Sequence, residues 1–257
     1  MTGDGWTLHL GDCIAGLATL ADKSIDVTIC DPPYEAEAHT LQRRYKGAED
    51  DAGYRDVVDA ALNFAAITAE QRAAVAAQIA RVTKSRAIVF CQAEAVDAWR
   101  SAFNDAGMPY RRAIPWIKPD AMPSLHGRWP GQSYETIVVA QHKASKPCPV
   151  GGKSVSYTCT RDPMLHSRAG QSAKAPHPTT KPLRLMRDIV EDFTLPGDLI
   201  LDPFAGSGTT GVAARMLGRR FIGWELSPAY HAIACRRLNG DEAVPNAAQP
   251  SLFGGVQ

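Results

Sequence analysis

One segment limits the possible folds of this chain more than any other: Leu199-Ile-Leu-Asp-Pro-Phe-Ala-Gly-Ser-Gly-Thr-Thr210, in which a short apolar strand runs straight into a glycine turn and a helix start. A strand this short and apolar is covered on both faces, and a chain that leaves it through a helix returns to the sheet in parallel. The same alternation recurs along the sequence. Thr7 to Leu10 and Ile25 to Cys30 read as strands with a helix from Ile14 to Leu20 between them. The alanine-rich stretch from Val57 to Val82 reads as two helices broken near Thr68, followed by a strand at Ala87 to Cys91 and a helix from Ala93 to Ala106. A helix from Pro182 to Phe193, the strand Leu199 to Asp202, a helix to Leu217, a strand Phe221 to Glu225 and a helix from Pro228 to Leu238 complete it. Such a pattern predicts an α/β fold with a mostly parallel twisted sheet and helices on both faces. From Pro109 to Pro178 it gives way to proline, glycine and basic residues with one clear strand, Glu135 to Ala140, which reads as an insertion lobe.

With 257 residues, 45% of them hydrophobic, the chain can bury the core of one α/β domain with such an insertion, but two full domains would be a squeeze. The formal net charge is only +1. Between Arg111 and Lys181, however, eleven Lys or Arg face three acids, a local net charge of +8. That is the profile of a phosphate-binding lobe on a neutral scaffold, or equally of a solvated basic loop region. The six cysteines show no paired spacing, which predicts a reducing, cytoplasmic setting. His142, Cys148, Cys159 and His166 lack the tight Cys-x-x-Cys knuckle of a zinc site, so no metal is expected. No apolar run approaches the roughly 20 residues of a membrane helix.

The glycine turn carries chemistry as well as geometry. Glycines let the backbone of Gly206 to Gly208 approach a ligand closely. Seventeen residues after Gly208 comes Glu225, ending the next strand, where a carboxylate can accept the two hydroxyl protons of a ribose. The pairing points to an adenosine-containing cofactor. A nicotinamide dinucleotide is disfavoured, because the third fingerprint glycine is missing and Asp202-Pro-Phe precedes the turn.

Asp31-Pro-Pro-Tyr34 follows the strand Ile25 to Cys30 and so falls at the carboxyl edge of the sheet, where open α/β folds keep their ligands. Four such residues suit chemistry on an exocyclic amine, whose lone pair is delocalised into the base. The Asp31 side chain and a backbone carbonyl near Pro32 can take both amine hydrogens and free the lone pair for attack. Pro32 and Pro33 have no N–H to commit to a ladder. Tyr34 offers a stacking face for a base taken out of the duplex.

Asp31-Pro-Pro-Tyr followed late in the chain by Asp202-Pro-Phe-Ala-Gly-Ser-Gly resembles the β-group of amino-directed DNA methyltransferases, in which the catalytic motif precedes the cofactor motif. Gly11-Asp12 looks like that family's early acidic motif, and His177-Pro-Thr-Thr-Lys-Pro182 like its methionine-side motif. The resemblance covers residues 6 to 238. It implies a Rossmann-like class I methyltransferase fold with circularly permuted motif order, S-adenosylmethionine as cofactor and double-stranded DNA as substrate. In its terms residues 1–108 form the catalytic half, 109–176 a small basic target-recognition lobe, 177–238 the cofactor half and 239–257 a disordered tail. Asp31, Pro32, Pro33 and Tyr34 would be catalytic. Asp12, Cys13, Asp31, His177, Thr179, Lys181, Asp202, Pro203, Phe204, Ala205, Gly206, Ser207, Gly208, Thr209, Thr210, Glu225 and Leu226 would hold the cofactor. Arg43, Arg44, Lys46, Lys118, Arg128, Lys143, Lys146, Lys153, Arg161 and Arg168 would meet DNA.

Within that family cytosine-N4 enzymes usually carry Ser where this chain has Asp31, so adenine N6 is the expected target and cytosine N4 the alternative. A non-catalytic DNA-binding protein that keeps the fold is the competing class, disfavoured by the intact Asp31, Tyr34, Gly206, Gly208 and Glu225. The resemblance suggests a homodimer, with the helices between Val57 and Val82 as its candidate interface. In the tail, Gln249-Pro-Ser-Leu-Phe253 resembles the short peptides by which bacterial DNA enzymes dock on the replication sliding clamp, Leu252 and Phe253 filling an apolar pocket.

Overall fold

The computed structural model describes residues 1–34, 66–121, 131–145, 147–160 and 180–241. Its described strands are β1 (Thr2–Gly3), β2 (Trp6–Leu10), β3 (Ile25–Cys30), β4 (Thr83–Cys91), β5 (Tyr110–Ile117), β6 (Tyr134–Gln141), β7 (Tyr157–Thr158), β8 (Leu199–Asp202) and β9 (Arg220–Glu225). They form one sheet in the order β1-β2-β9-β8-β3-β4-β6-β5-β7. The five strands β2-β9-β8-β3-β4 are mutually parallel, while β6 runs antiparallel to both β4 and β5.

Period-2 alternation splits the sheet between two helical layers. Val27 and Ile29 of β3, Ile88 and Phe90 of β4, and Ile137 and Val139 of β6 face one side. There they pack with α4 (Leu183–Phe193), α5 (Thr209–Met216) and α6 (Pro228–Asn239). The intervening Cys30, Ala87, Val89, Cys91, Val138 and Ala140 face the other side, against α2 (Ala69–Val82) and α3 (Val96–Asp105), whose Trp99 and Phe103 are fully buried. A short helix α1 (Cys13–Ala18) places Leu17 with Ile25, Val82, Leu201 and Trp224 in a third cluster. Local chemistry starts these helices where the chain needs them. Thr68 and Gln71 form a reciprocal capping box on α2, and Ser227 caps α6 with Pro228 in its first turn.

One expectation needs correction. Tyr110–Ile117 and Tyr134–Gln141, assigned from the sequence to an insertion lobe, are ladder neighbours inside the common sheet, so the sheet does not end at residue 109. The strand pattern of β5 is hidden by Arg111 and Arg112 on its exposed positions and by Pro115 within it. On α2, Val75, Ala76, Ile79, Ala80 and Val82 are buried in the chain's own core. Residues 57–65, the rest of that candidate interface, and the tail from 242, with Gln249 to Phe253, lie outside the described residues.

Trp99 is 0% exposed in the α2/α3 layer. Trp99→Ala therefore costs about 3–5 kcal/mol of stability by the cavity it leaves. Denaturant titration reads this loss.

Candidate active site

Strands β3 and β8 are hydrogen-bonded neighbours, but their onward connections leave in opposite directions, β8 to β9 and β3 to β4. A crevice opens at such a switch point, beyond the carboxyl ends of the strands. Asp31 follows β3 there and Asp202 ends β8. Glu225 ends β9 on the same edge, and its carbonyl accepts from Gly11 N at 2.9 Å. Because β6 runs antiparallel to β4, its first residues reach this edge too, which brings in Glu135. Lys118, next after β5, is tied there by its N–H to Ser133 O at 2.7 Å.

The glycine loop is held from three directions. Asp202 accepts from Phe204 N at 2.9 Å and from the Thr210 hydroxyl at 2.6 Å. Glu225 accepts from Gly206 N at 2.8 Å and Ser227 N at 2.7 Å, so each carboxylate oxygen is fixed by one backbone N–H and keeps lone pairs to spare. Arg237 of α6 donates to Ser207 O at 2.6 Å, Ser207 Oγ at 2.9 Å and Thr209 Oγ1 at 3.1 Å. Gly208 sits at φ 80° and a Cβ there would lie 2.9 Å from Ala234 Cβ, so backbone and packing both demand glycine. A Cβ on Gly206, at φ 52°, would meet no protein atom nearer than Phe204 O at 4.0 Å, so the loop presents bare backbone to open space. A donor set of backbone and hydroxyls, with a half-satisfied carboxylate at the end of the next strand, fits an adenosine cofactor. Burial pushes the Asp202 carboxyl up to about 7, and that of Glu225 upward as well.

Beside this loop lies a cluster of charges. Lys181 Nζ donates to Asp31 Oδ2 at 2.5 Å, lies 3.4 Å from Glu135 Oε2, and sits 5.1 Å from the centre of the Phe90 ring and 5.6 Å from that of Tyr34. Lys118 Nζ donates to Glu135 Oε1 at 2.6 Å, and the Tyr34 hydroxyl donates to Glu135 Oε2 at 2.8 Å. Asp31 Oδ1 is sealed from solvent and has no hydrogen-bond partner among the described residues. A buried acceptor left open in this way is a place where a donor from water or a ligand can bind. Burial raises the Asp31 pKa, Lys181 pulls it down and Glu135 pushes it up, with a net rise. Burial likewise opposes the charge of Glu135, but Lys181 and Lys118 outweigh it and hold this carboxyl down to about 2. For Lys181 burial is outweighed by Asp31 and Glu135, which keep the ammonium pKa well above its ordinary value.

The structure thus brings Asp31 to Tyr34, Lys181, Asp202 to Thr210 and Glu225 to one edge. Pro203, Ala205, Ser207, Thr209 and Thr210 are buried in the loop, and Leu226 is 71% exposed beside Glu225. Asp12 caps α1 through Ala15 N at 2.8 Å, and burial pushes the neighbouring Cys13 thiol up to about 12. Lys181, expected on the cofactor, is engaged by Asp31. Lys118, expected on DNA, is enclosed against Glu135 and the Trp116 ring, its side chain 15% exposed, which leaves little surface for a phosphate. Lys143 lies on the opposite edge of the sheet, beside a cavity of about 620 Å³ lined also by Lys23, Lys84 and His142. Lys153 is exposed on a turn. Arg43, Arg44, Lys46, Arg128, Lys146, Arg161, Arg168, His177 and Thr179 lie outside the described residues. Sequence reasoning missed Glu135, Phe90 and Arg237. Glu135 did carry a signal, as an acid at the head of an otherwise apolar strand.

Comparison with known proteins agrees with this geometry. Residues 25–236 match the N6/N4 methyltransferase family described as DNA methylase, and the chain belongs to that family. It is 25% identical over 256 residues to the type II methyltransferase M.HinfI of Haemophilus influenzae, covering 93% of this chain and 70% of that protein. It is 36% identical over 155 residues to the type II methyltransferase M2.DpnII of Streptococcus pneumoniae, covering 54% of this chain and 55% of that one. The crystal structure of M1.HpyAVI with SAM superposes with a TM-score of 0.66 at 25% identity, over 91% of this chain and 99% of the other. The PvuII cytosine-N4-specific DNA methyltransferase shares the fold at 17% identity, with a TM-score of 0.67 over 92% and 87% of the two chains. The protein is a DNA methyltransferase of the class I fold that uses S-adenosylmethionine.

Two outcomes follow from the cofactor side. Glu225→Ala weakens cofactor binding by about 1.5–3 kcal/mol, the worth of hydrogen bonds to a charged group. An unchanged affinity by calorimetry removes Glu225 from the site. For Asp202, a folded pKa of about 7 against an ordinary 3.8 means that the folded chain holds this proton more tightly than the unfolded one. Its contribution to stability is therefore complete below pH 3.8 and is lost as pH rises to about 7. Asp202→Asn removes that component, so the difference in melting temperature between variant and parent shifts in the variant's favour across this window. A difference independent of pH refutes the raised pKa.

Proposed function

We propose that this chain methylates the N6 amine of adenine, with Asp31-Pro-Pro-Tyr34 as the site that receives the flipped base. The observation that carries the reading is Asp31 Oδ1, an enclosed carboxylate oxygen with no partner among the described residues, next to a glycine loop suited to the cofactor. Asp31 Oδ1 accepts one hydrogen of the target amine and is positioned to hold the proton that the amine sheds. A carbonyl near Pro32 takes the other hydrogen, and the ring of Tyr34, its hydroxyl anchored on Glu135, stacks on the base. With both hydrogens held, the nitrogen lone pair is no longer committed to the ring. Asp202 to Thr210 with Glu225, and with Asp12 and Leu226 at the adenosine end, would hold S-adenosylmethionine. When bound, that cofactor supplies an electrophilic methyl group on a sulfonium. A carboxylate at the position of Asp31 favours adenine over cytosine, since the family resemblance associates a hydroxyl there with cytosine N4.

The test is transfer of labelled methyl groups to mixed-sequence duplex DNA, followed by digestion and chromatography of the nucleosides. Label in N6-methyladenine supports the reading, and label in N4-methylcytosine replaces it with the cytosine alternative. Asp31→Ala lowers turnover by at least about a hundredfold, as for removal of a positioned polar group at the reacting centre, while cofactor affinity stays within a small factor. Full activity of Asp31→Ala overturns the mechanism whichever base is modified.

A further inference from the structure

Four charged groups stand in sequence behind Asp31 Oδ1. Lys118 Nζ meets Glu135 at 2.6 Å, Glu135 meets Lys181 Nζ at 3.4 Å, and Lys181 Nζ meets Asp31 Oδ2 at 2.5 Å. The side chains of Lys118, Glu135 and Lys181 are only 15%, 14% and 10% exposed. Burying so many charges is costly, and the desolvation of each must be returned by its neighbours. Three separate segments converge to provide them: Lys118 from the end of β5, Glu135 from the start of β6 and Lys181 from the approach to α4. The open end of the row is Asp31 Oδ1.

The chemistry of the amine explains what such a row does. A carboxyl group in an enclosed site drifts toward its protonated form, and Glu135 and Asp202 add like charge nearby. A protonated Asp31 would offer an O–H to the amine and engage the very lone pair that must be free. An ammonium on Oδ2 opposes that drift and leaves Oδ1 as the acceptor. Glu135 in turn keeps Lys181 charged despite burial and anchors Tyr34, while Lys118 does the same for Glu135. We propose that Lys181, held by Glu135 and Lys118, is a positioning residue that keeps Asp31 ionised and leaves Oδ1 open to the target amine. The proposal rests on the reading of Asp31 given above and assigns Lys181 to the base side of the site instead of to the cofactor.

Among the described residues the groups facing Asp31 are Lys181, Glu135 and Lys118 across the crevice, Cys30 and Tyr34 from its own segment, and Asp202 from β8. Cys30 and Tyr34 are held neutral by burial, so they do not titrate near neutrality. Asp202 does titrate there, and a single variant cannot separate it from Asp31. Two variants of opposite sign can. Removing the cation at Lys181 stabilises the protonated form of Asp31, whereas removing the anion at Glu135 destabilises it.

The experiment measures turnover and both Michaelis constants from about pH 5 to 9, the range in which such an acid limb falls, for the parent, Lys181→Met, Lys181→Arg and Glu135→Gln. Lys181→Met lowers kcat by roughly ten- to hundredfold through misplacement of Asp31. It also moves the acid limb to higher pH by about one to two units, the effect of losing an adjacent opposite charge. Lys181→Arg returns the limb toward its parental position. Glu135→Gln moves the limb to lower pH while kcat falls through Tyr34. Cofactor affinity, measured calorimetrically without DNA, stays within about threefold of the parent in all three. A parental acid limb in Lys181→Met, or a defect confined to cofactor affinity, overturns the proposal and returns Lys181 to the cofactor. Should Lys181→Met not fold, the direction of the Glu135→Gln shift decides alone: downward supports the proposal, and upward or absent overturns it. An active Asp31→Ala instead sinks the reading of Asp31, an outcome distinct from either.

Discussion

Everything functional in this protein depends on β3 and β8 lying side by side while their connections depart in opposite directions. Residues far apart in the chain, Asp31 and Asp202, thereby end adjacent strands at one edge. The glycine loop turns back beside the tetrapeptide with its backbone bare. A permuted order of motifs matters little to such a site. What counts is which strand ends meet, and parallel pairing along β2-β9-β8-β3-β4 brings all the relevant ends to the same side.

On that edge the protein spends stability on charge. Asp31, Glu135, Lys118 and Lys181 are enclosed together, and each is tolerable only because of the others. The cofactor side is built differently. There Asp202 and Glu225 are held by backbone N–H groups and a hydroxyl, with no lysine or arginine paired to either carboxylate among the described ion pairs and hydrogen bonds. Two acidic sites a short distance apart thus have opposite support, cationic for the base side and dipolar for the cofactor side. That contrast separates a group meant to stay ionised from one, Asp202, whose proton is loosely decided near neutrality.

The parallel half of the fold was legible in the sequence because its strands are buried on both faces and bounded by punctuation. Leu199–Asp202 and Ile25–Cys30 are found at their expected positions, and the helix breaking near Thr68 begins there with a capping box. Of the antiparallel edge only β6 was legible, as the strand Glu135 to Ala140. In β5, Arg111 and Arg112 take solvent positions and Pro115 interrupts the ladder donors, so the segment resembles a basic loop until β6 is seen beside it. The motifs of the site were readable for the same reason as the parallel strands, since local sequence determines turns. Glu135 and Lys118 were not, because their role depends on a long-range pairing: Trp116 lies opposite Glu135 across the β5–β6 ladder, and Lys118 follows two residues on. A lysine in a basic stretch looks like a phosphate ligand until its partner, here Glu135, is in view.

The central claim is that Asp31 Oδ1 receives the amine of a flipped adenine while Oδ2 remains on Lys181. The most direct measurement is a crystal structure of the protein with an unreactive cofactor analogue and a duplex containing its target adenine. The account predicts the adenine in the crevice between β3 and β8, its N6 within hydrogen-bond distance of Asp31 Oδ1, its ring against Tyr34, and Lys181 still paired with Oδ2. An amine bound elsewhere, or Lys181 withdrawn from Asp31 onto the cofactor, would contradict it.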